Sequence, residues 1–111
     1  MTKFLVLFRS SVPAVHQTAS ATPDQMKAGM DRWTAWMERA QPVIVDVGTP
    51  LGHGVEIVRR SVGESFSGIA GYSILQAESQ SAVIDLLMSH PHHLTAEGTI
   101  EVLEMLPMPG M

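Results

Sequence analysis

Five consecutive residues near the start of the chain, Phe4-Leu5-Val6-Leu7-Phe8, are all apolar. They suit a strand from about Lys3 to Arg9. Successive side chains of a strand point to opposite faces of a sheet, so an unbroken apolar strand needs cover on both faces. The remaining sequence predicts only two helices, enough to cover one. This mismatch constrains the fold more than any other feature.

The first helix is expected to open at Thr22, with Pro23 at the first helical position and Gln25 completing a capping box. Met26, Met30, Trp33 and Met37 then recur at helical spacing, with Trp36 and Ala40 widening the stripe, and Pro42 ends the helix. Val43-Ile44-Val45-Asp46-Val47 reads as a second strand, with Val43, Val45 and Val47 on one face and Ile44 and Asp46 on the other. A glycine-rich turn, residues 48–54, follows it. Val55 to Arg59 reads as a short extra strand that lengthens the hairpin region. Gly63 to Gly68 reads as a turn, and Ile69 to Ala77 as a strand. Ser79 caps a second helix whose stripe is Val83, Leu86, Leu87 and His90, and Pro91 stops it. Thr99 to Met105 is the last strand.

Two strand–helix–strand units in series predict an α+β fold, a ferredoxin-like split βαβ sandwich with both helices on one face of an antiparallel sheet. Residues 1–106 form its single domain, and Pro107 to Met111 a loose tail. The first strand would be central, with its second apolar face uncovered. The simplest cover is the same face of a second copy, giving a homodimer through the sheet faces. The plainer alternative folds the long Ser10–Ala21 segment, or the tail, over that face.

Composition excludes several function classes. The chain has no cysteine, so disulfides, thiolate catalysis and cysteine-ligated zinc are ruled out, which agrees with a cytoplasmic home. The net charge is −4, and the only adjacent basic pair is Arg59-Arg60, so no nucleic-acid partner is expected. The apolar run at the start is shorter than the roughly 7–15 residues of a signal segment. No stretch approaches the roughly 20 apolar residues of a membrane span, so no membrane partner is expected.

The layout resembles the YCII-related family, including its branch named after a DGPF motif. The resemblance spans nearly the whole chain and rests on residues 3–8, on Met30-Asp31-Arg32-Trp33-Thr34-Ala35-Trp36-Met37, and on Gly48-Thr49-Pro50-Leu51. It rests also on residues 71–79, on His90-Pro91 and on Ile100-Glu101-Val102. It implies a dimeric α+β barrel. It also implies proton-transfer, isomerase or lyase-type chemistry on a small organic substrate. Two departures stand out. Gly63-Glu64-Ser65-Phe66 occupies the place expected for the DGPF segment. The first helix has no histidine, only Asp31 near that position, so the family's His–Asp dyad is not carried over.

Asp46 and His53 are the candidate catalytic residues, a carboxylate at a strand end and an imidazole in the turn after it. A carboxylate can orient a histidine for acid–base work near neutral pH. The plainer reading is an exposed turn histidine beside a structural carboxylate. Arg9 is the candidate partner of Asp46. Asp31, Trp33, Tyr72, Arg9 and His90 are the candidate pocket residues. Helical spacing favours core packing over a pocket as the use of Trp33 and the methionines. His90, His92 and His93 invite a metal reading, but Pro91 divides them and no cysteine supports them, so neither metal nor cofactor is assigned. The chain is thus read as a small-molecule-binding homodimer, with or without catalysis. The alternative is a non-catalytic accessory or regulatory domain on the same scaffold.

Overall fold

The computed structural model of the chain describes residues 1–11, 21–65, 67–94 and 97–110. Most of the Ser10–Ala21 segment, Phe66 of the Gly63–Phe66 stretch and Met111 of the tail lie outside the described residues. The described residues form six strands and two α-helices, besides two short 3-10 turns: β1 (Thr2–Arg9), α1 (Pro23–Ala40), β2 (Ile44–Asp46), β3 (Val55–Val58), β4 (Ser61–Glu64), β5 (Ile69–Ala77), α2 (Gln80–Leu87) and β6 (Thr99–Glu104). The main sheet has the order β2-β5-β1-β6, every neighbour antiparallel. Each helix therefore links two strands separated by one that comes from the other unit, which is the expected split βαβ arrangement.

One set of side chains on β1, Phe4, Val6 and Phe8, is almost fully buried. It meets Leu75 and Ala77 of β5 and, from the helices, Trp36, Ala40, Val83 and Leu87. Both helices thus cover the same face. Leu5 and Leu7 lie on the other face and are only half-buried. The molecule measures 51 × 42 × 19 Å. Its thin dimension fits two layers, one of helices and one of sheet.

The start of α1 follows the expected pattern. The Thr22 side chain accepts the Gln25 amide at 3.1 Å and the Gln25 side chain accepts the Thr22 amide at 2.9 Å. Thr22→Ala removes one half of that exchange and is expected to lower stability by about 1 kcal/mol, measurable as a fall in the urea midpoint with unchanged slope. A shift indistinguishable from zero would show that the cap is redundant.

The buried stripe of α1 differs from the expected one. Trp36 and Ala40 form its centre, Trp33 and Met37 flank it, and Met26 and Met30 are 51% and 64% exposed. An 18-residue helix is about 27 Å long, and here only its second half lies over the sheet. The α2 stripe is as expected over Val83, Leu86 and Leu87, but the helix ends at Leu87, and His90, expected as its last member, is buried just beyond it. The Trp36 indole N–H donates to the Leu86 carbonyl at 3.2 Å, tying α1 to the end of α2.

Val55–Val58 does not extend the main sheet. It pairs with Ser61–Glu64, whose Gly63 and Glu64 read from sequence as the start of a turn, to make a separate two-stranded hairpin. Arg59 and Arg60 form its two-residue turn with φ of 48° and 71°. Every residue of the two strands is exposed. The radius of gyration, 15.6 Å, exceeds the roughly 13 Å of a compact chain of this length, as a projecting hairpin requires.

Candidate functional site

The second face of the main sheet, which no described element covers, carries three of the polar groups singled out from sequence, Arg9, Asp46 and Tyr72. Its rows follow from register. Ile74 pairs with Leu5, and Leu5 with Leu103, giving an apolar row across three strands. Two residues along, Tyr72 pairs with Leu7 and Leu7 with Glu101. Asp46 sits beside Tyr72 at the β2 edge, and Arg9 sits beside Glu101 at the other. One row is thus hydrocarbon, and the next has a hydrogen-bonded polar pair on either side of Leu7.

Asp46 reaches this face because β2 is irregular. Ile44 pairs with Leu75 and packs into the core, whereas Asp46 pairs with Ile74 after a register shift. Such a bulge turns later side chains to the other face, so Ile44 and Asp46 do not share one. Both Asp46 oxygens are occupied. Oδ2 accepts the Tyr72 hydroxyl at 3.1 Å and Oδ1 accepts the Gly48 amide at 2.8 Å. The neighbouring carboxylate raises the Tyr72 phenol above its ordinary value, chiefly through their hydrogen bond and then through charge. Tyr72 therefore keeps its proton and acts as a donor at neutral pH.

Gly48 holds this arrangement together. Its φ is +79°, and a Cβ built on it would lie 1.7 Å from the Tyr72 carbonyl oxygen. The close approach lets the chain stay against β5, where the Ser73 hydroxyl donates to the Val47 carbonyl at 2.6 Å and the Leu51 amide donates to the Ala70 carbonyl at 2.9 Å. The first part of the glycine-rich segment is therefore a continuation of the sheet edge.

Arg9 does not pair with Asp46. Its guanidinium donates to Glu101 at 2.9 Å and to the Ser67 carbonyl at 3.1 Å. Glu101 went unremarked as a site residue, because only the β1–β6 register brings it beside Arg9. His53 is exposed in the loop with φ of 54°, and no hydrogen bond joins it to Asp46. Asp31 is exposed on α1, paired with Lys27 at 3.2 Å.

Trp33 and His90 lie together on the helix side of the sheet, away from Tyr72 and Arg9. The five candidate pocket residues therefore do not line one cavity. The His90 ring stacks on Phe8, with centroids 4.6 Å apart, and meets Trp33 and Trp36 edge to face. Burial first, and then the neighbouring His92 and His93, lower its pKa to about 3. Nδ1 accepts the His92 amide at 2.9 Å, so the neutral ring carries its proton on Nε2, which is buried and without a partner among the described residues. His92 and His93 each direct Nε2 at a backbone carbonyl, of Arg9 and of Leu87, both at 2.8 Å. A carbonyl only accepts, so both ring nitrogens are protonated donors. The three histidines are thus engaged with backbone and aromatic rings, and among the described residues no group of three metal-ligating side chains converges. No helix among them is long and apolar enough to cross a membrane.

No protein-family profile and no curated protein matches the chain. Among solved structures, it is similar to the 5-chloro-2-hydroxyhydroquinone dehydrochlorinase TftG from Burkholderia phenoliruptrix AC1100, determined in complex with 2,5-dihydroxybenzoquinone. The two share 19% sequence identity with a TM-score of 0.48, over 97% of this chain and 95% of that one.

Proposed function

We propose that two copies of this chain pack through the sheet faces that no described element covers, as a YCII-like dimeric α+β barrel, and that the polar end of the interface binds a small organic molecule and moves a proton on it. The observation that carries the proposal is the face itself. Its Ile74–Leu5–Leu103 row supplies apolar surface for a twin, and its second row holds the Asp46–Tyr72 and Arg9–Glu101 pairs. The strands bearing Tyr72 and Glu101 lie two spacings apart, about 10 Å, room for a small ring between the pairs.

In this reading the Asp46 carboxylate is the base that takes the proton from the substrate carbon, and the Tyr72 hydroxyl donates to the substrate oxygen on which the negative charge develops. The acid role passes from His53 to Tyr72, because Tyr72 is the residue hydrogen-bonded to the carboxylate. Arg9 and Glu101 bind and orient polar substituents at the other side. Proton-transfer chemistry of this kind underlies isomerase and lyase reactions. The second reading, an accessory dimer without catalysis, is favoured by the apolar row alone.

Light scattering on the full chain is expected to give the mass of two copies, and Leu5→Glu the mass of one, because a charge would be buried unpaired. The dimer is then incubated in deuterated water with a panel of small enolisable carbonyl compounds, and exchange at their acidic C–H is followed by proton NMR. Accelerated exchange that drops by about 10²-fold or more in Tyr72→Phe and in Asp46→Asn supports the enzyme reading. A single-copy mass at micromolar concentration removes the interface. A stable dimer with no exchange on any compound favours the accessory reading.

A further inference from the structure

A second site lies on the other side of the sheet, where α1 passes the end of α2. A cleft of about 340 Å³ is lined there by Arg32 and Arg39 of α1 and by Met88, His90, His93 and Leu94, among others. That volume is at the lower end of the roughly 300–1,000 Å³ typical of small-molecule sites. Arg32 and Arg39 lie two helical turns apart on one face of α1. Neither makes an ion pair or hydrogen bond with any described residue, whereas Arg9 and Lys27 each pair with a carboxylate. Two guanidiniums without a partner among the described residues thus line one cleft.

The end of α2 would ordinarily disfavour an anion here, because its last carbonyls carry negative partial charge. Those carbonyls are already answered. Leu86 accepts from the Trp36 indole and the Ser89 hydroxyl, and Leu87 from the His90 amide and the His93 ring. A further observation concerns a residue of the same cleft. His90 lines the cleft, is 2% exposed, and holds a buried Nε2–H without an acceptor. Its edge-to-face contacts with Trp33 and Trp36 are weaker than a hydrogen bond to oxygen. A buried donor left unmatched is costly, so a small shift of the ring that brought Nε2 to an oxygen in the cleft would relieve it.

We propose that this cleft binds a small organic carboxylate, with Arg32 and Arg39 engaging the anion, His90 Nε2–H donating to one of its oxygens, and Met88 and Leu94 contacting its apolar body. Guanidiniums match carboxylate geometry, and the apolar lining favours an organic acid over inorganic phosphate. The site lies across the sheet from Asp46 and Tyr72, so its fate is independent of the proton-transfer reading.

Three probes are titrated separately into the full chain: benzoate, the neutral isostere benzamide and inorganic phosphate. Shifts of the Trp36 indole and His93 signals are followed by NMR. Saturable benzoate binding, absent with benzamide and weakened at least about tenfold in the Arg32→Gln/Arg39→Gln double variant, supports the site. These arginines lie outside the core, so the variant is expected to fold. His90→Phe, with folding checked by near-UV circular dichroism, is expected to weaken benzoate while leaving both arginines in place. Equal binding of benzoate and benzamide, binding of phosphate alone, or benzoate binding unchanged in the arginine variant would overturn the proposal.

Discussion

Gly48→Ala is expected to remove roughly 3–5 kcal/mol of stability, a large share of the 5–15 kcal/mol a domain of this size typically has. Two effects combine. A side chain at φ of +79° is strained. The added methyl also falls 1.7 Å from one backbone atom of Tyr72 and 2.6 Å from another, so β2 must leave β5. Backbone, unlike the end of a long side chain, cannot swing aside. The loss would extend to the Asp46–Tyr72 pair, since the Gly48 amide holds Asp46 Oδ1. Gly63→Ala is the matched control, because a Cβ there meets nothing within 4 Å. Urea denaturation of both variants decides the matter. A Gly48→Ala midpoint equal to that of Gly63→Ala would show that the edge rearranges freely.

Acid is expected to weaken the fold well above the range where carboxylates protonate. Folding lowers the His90 pKa from 6.5 to about 3. The neutral form is the native one, so the stabilisation is fully present above pH 6.5. It declines as pH falls from there toward 3, because in that window the unfolded chain binds the extra proton. The slope is about 1.4 kcal/mol per pH unit, and the whole window corresponds to roughly 5 kcal/mol at most. Protonation would place a charge between Phe8, Trp33 and Trp36 and break the bond from the His92 amide to Nδ1. The diagnostic interval is pH 6 to 5, before the carboxylates contribute. Unfolding free energies measured across it should fall for the parent chain and stay level in His90→Phe. The same slope in both chains would assign the effect to another group.

Much of the architecture was legible because local chemistry and packing agree. The Thr22 capping box, the α2 stripe of Val83, Leu86 and Leu87 and the all-apolar β1 each carry their signal in nearby residues. The α1 stripe was legible only in part. Periodicity places Met26 and Met30 on the same face as Trp33, but not where the sheet beneath ends. The hairpin was missed because its turn is Arg59-Arg60, with none of the Asn-Gly or Asp-Gly pairs that positive φ usually selects. The site was harder still. A bulge between Ile44 and Asp46 broke the alternation that assigns strand faces. The Arg9–Glu101 pair spans most of the chain in sequence, and only strand register joins its members. His53 and Asp46 are near in sequence, yet the carboxylate turns to Tyr72.

The Arg59-Arg60 turn has a consequence for solubility. The hairpin exposes Val55, Ile57, Val58 and Val62 on two short strands with free edges, the composition that invites edge-to-edge assembly. Two adjacent guanidiniums at the tip act against this as gatekeepers, since hairpins that pair side by side with their turns aligned must bring four like charges together. A turn of Asn-Gly would hold the same backbone with less strain, but it would leave the ribbon without that repulsion. The left-handed arginines thus favour dispersal in solution over local conformational ease.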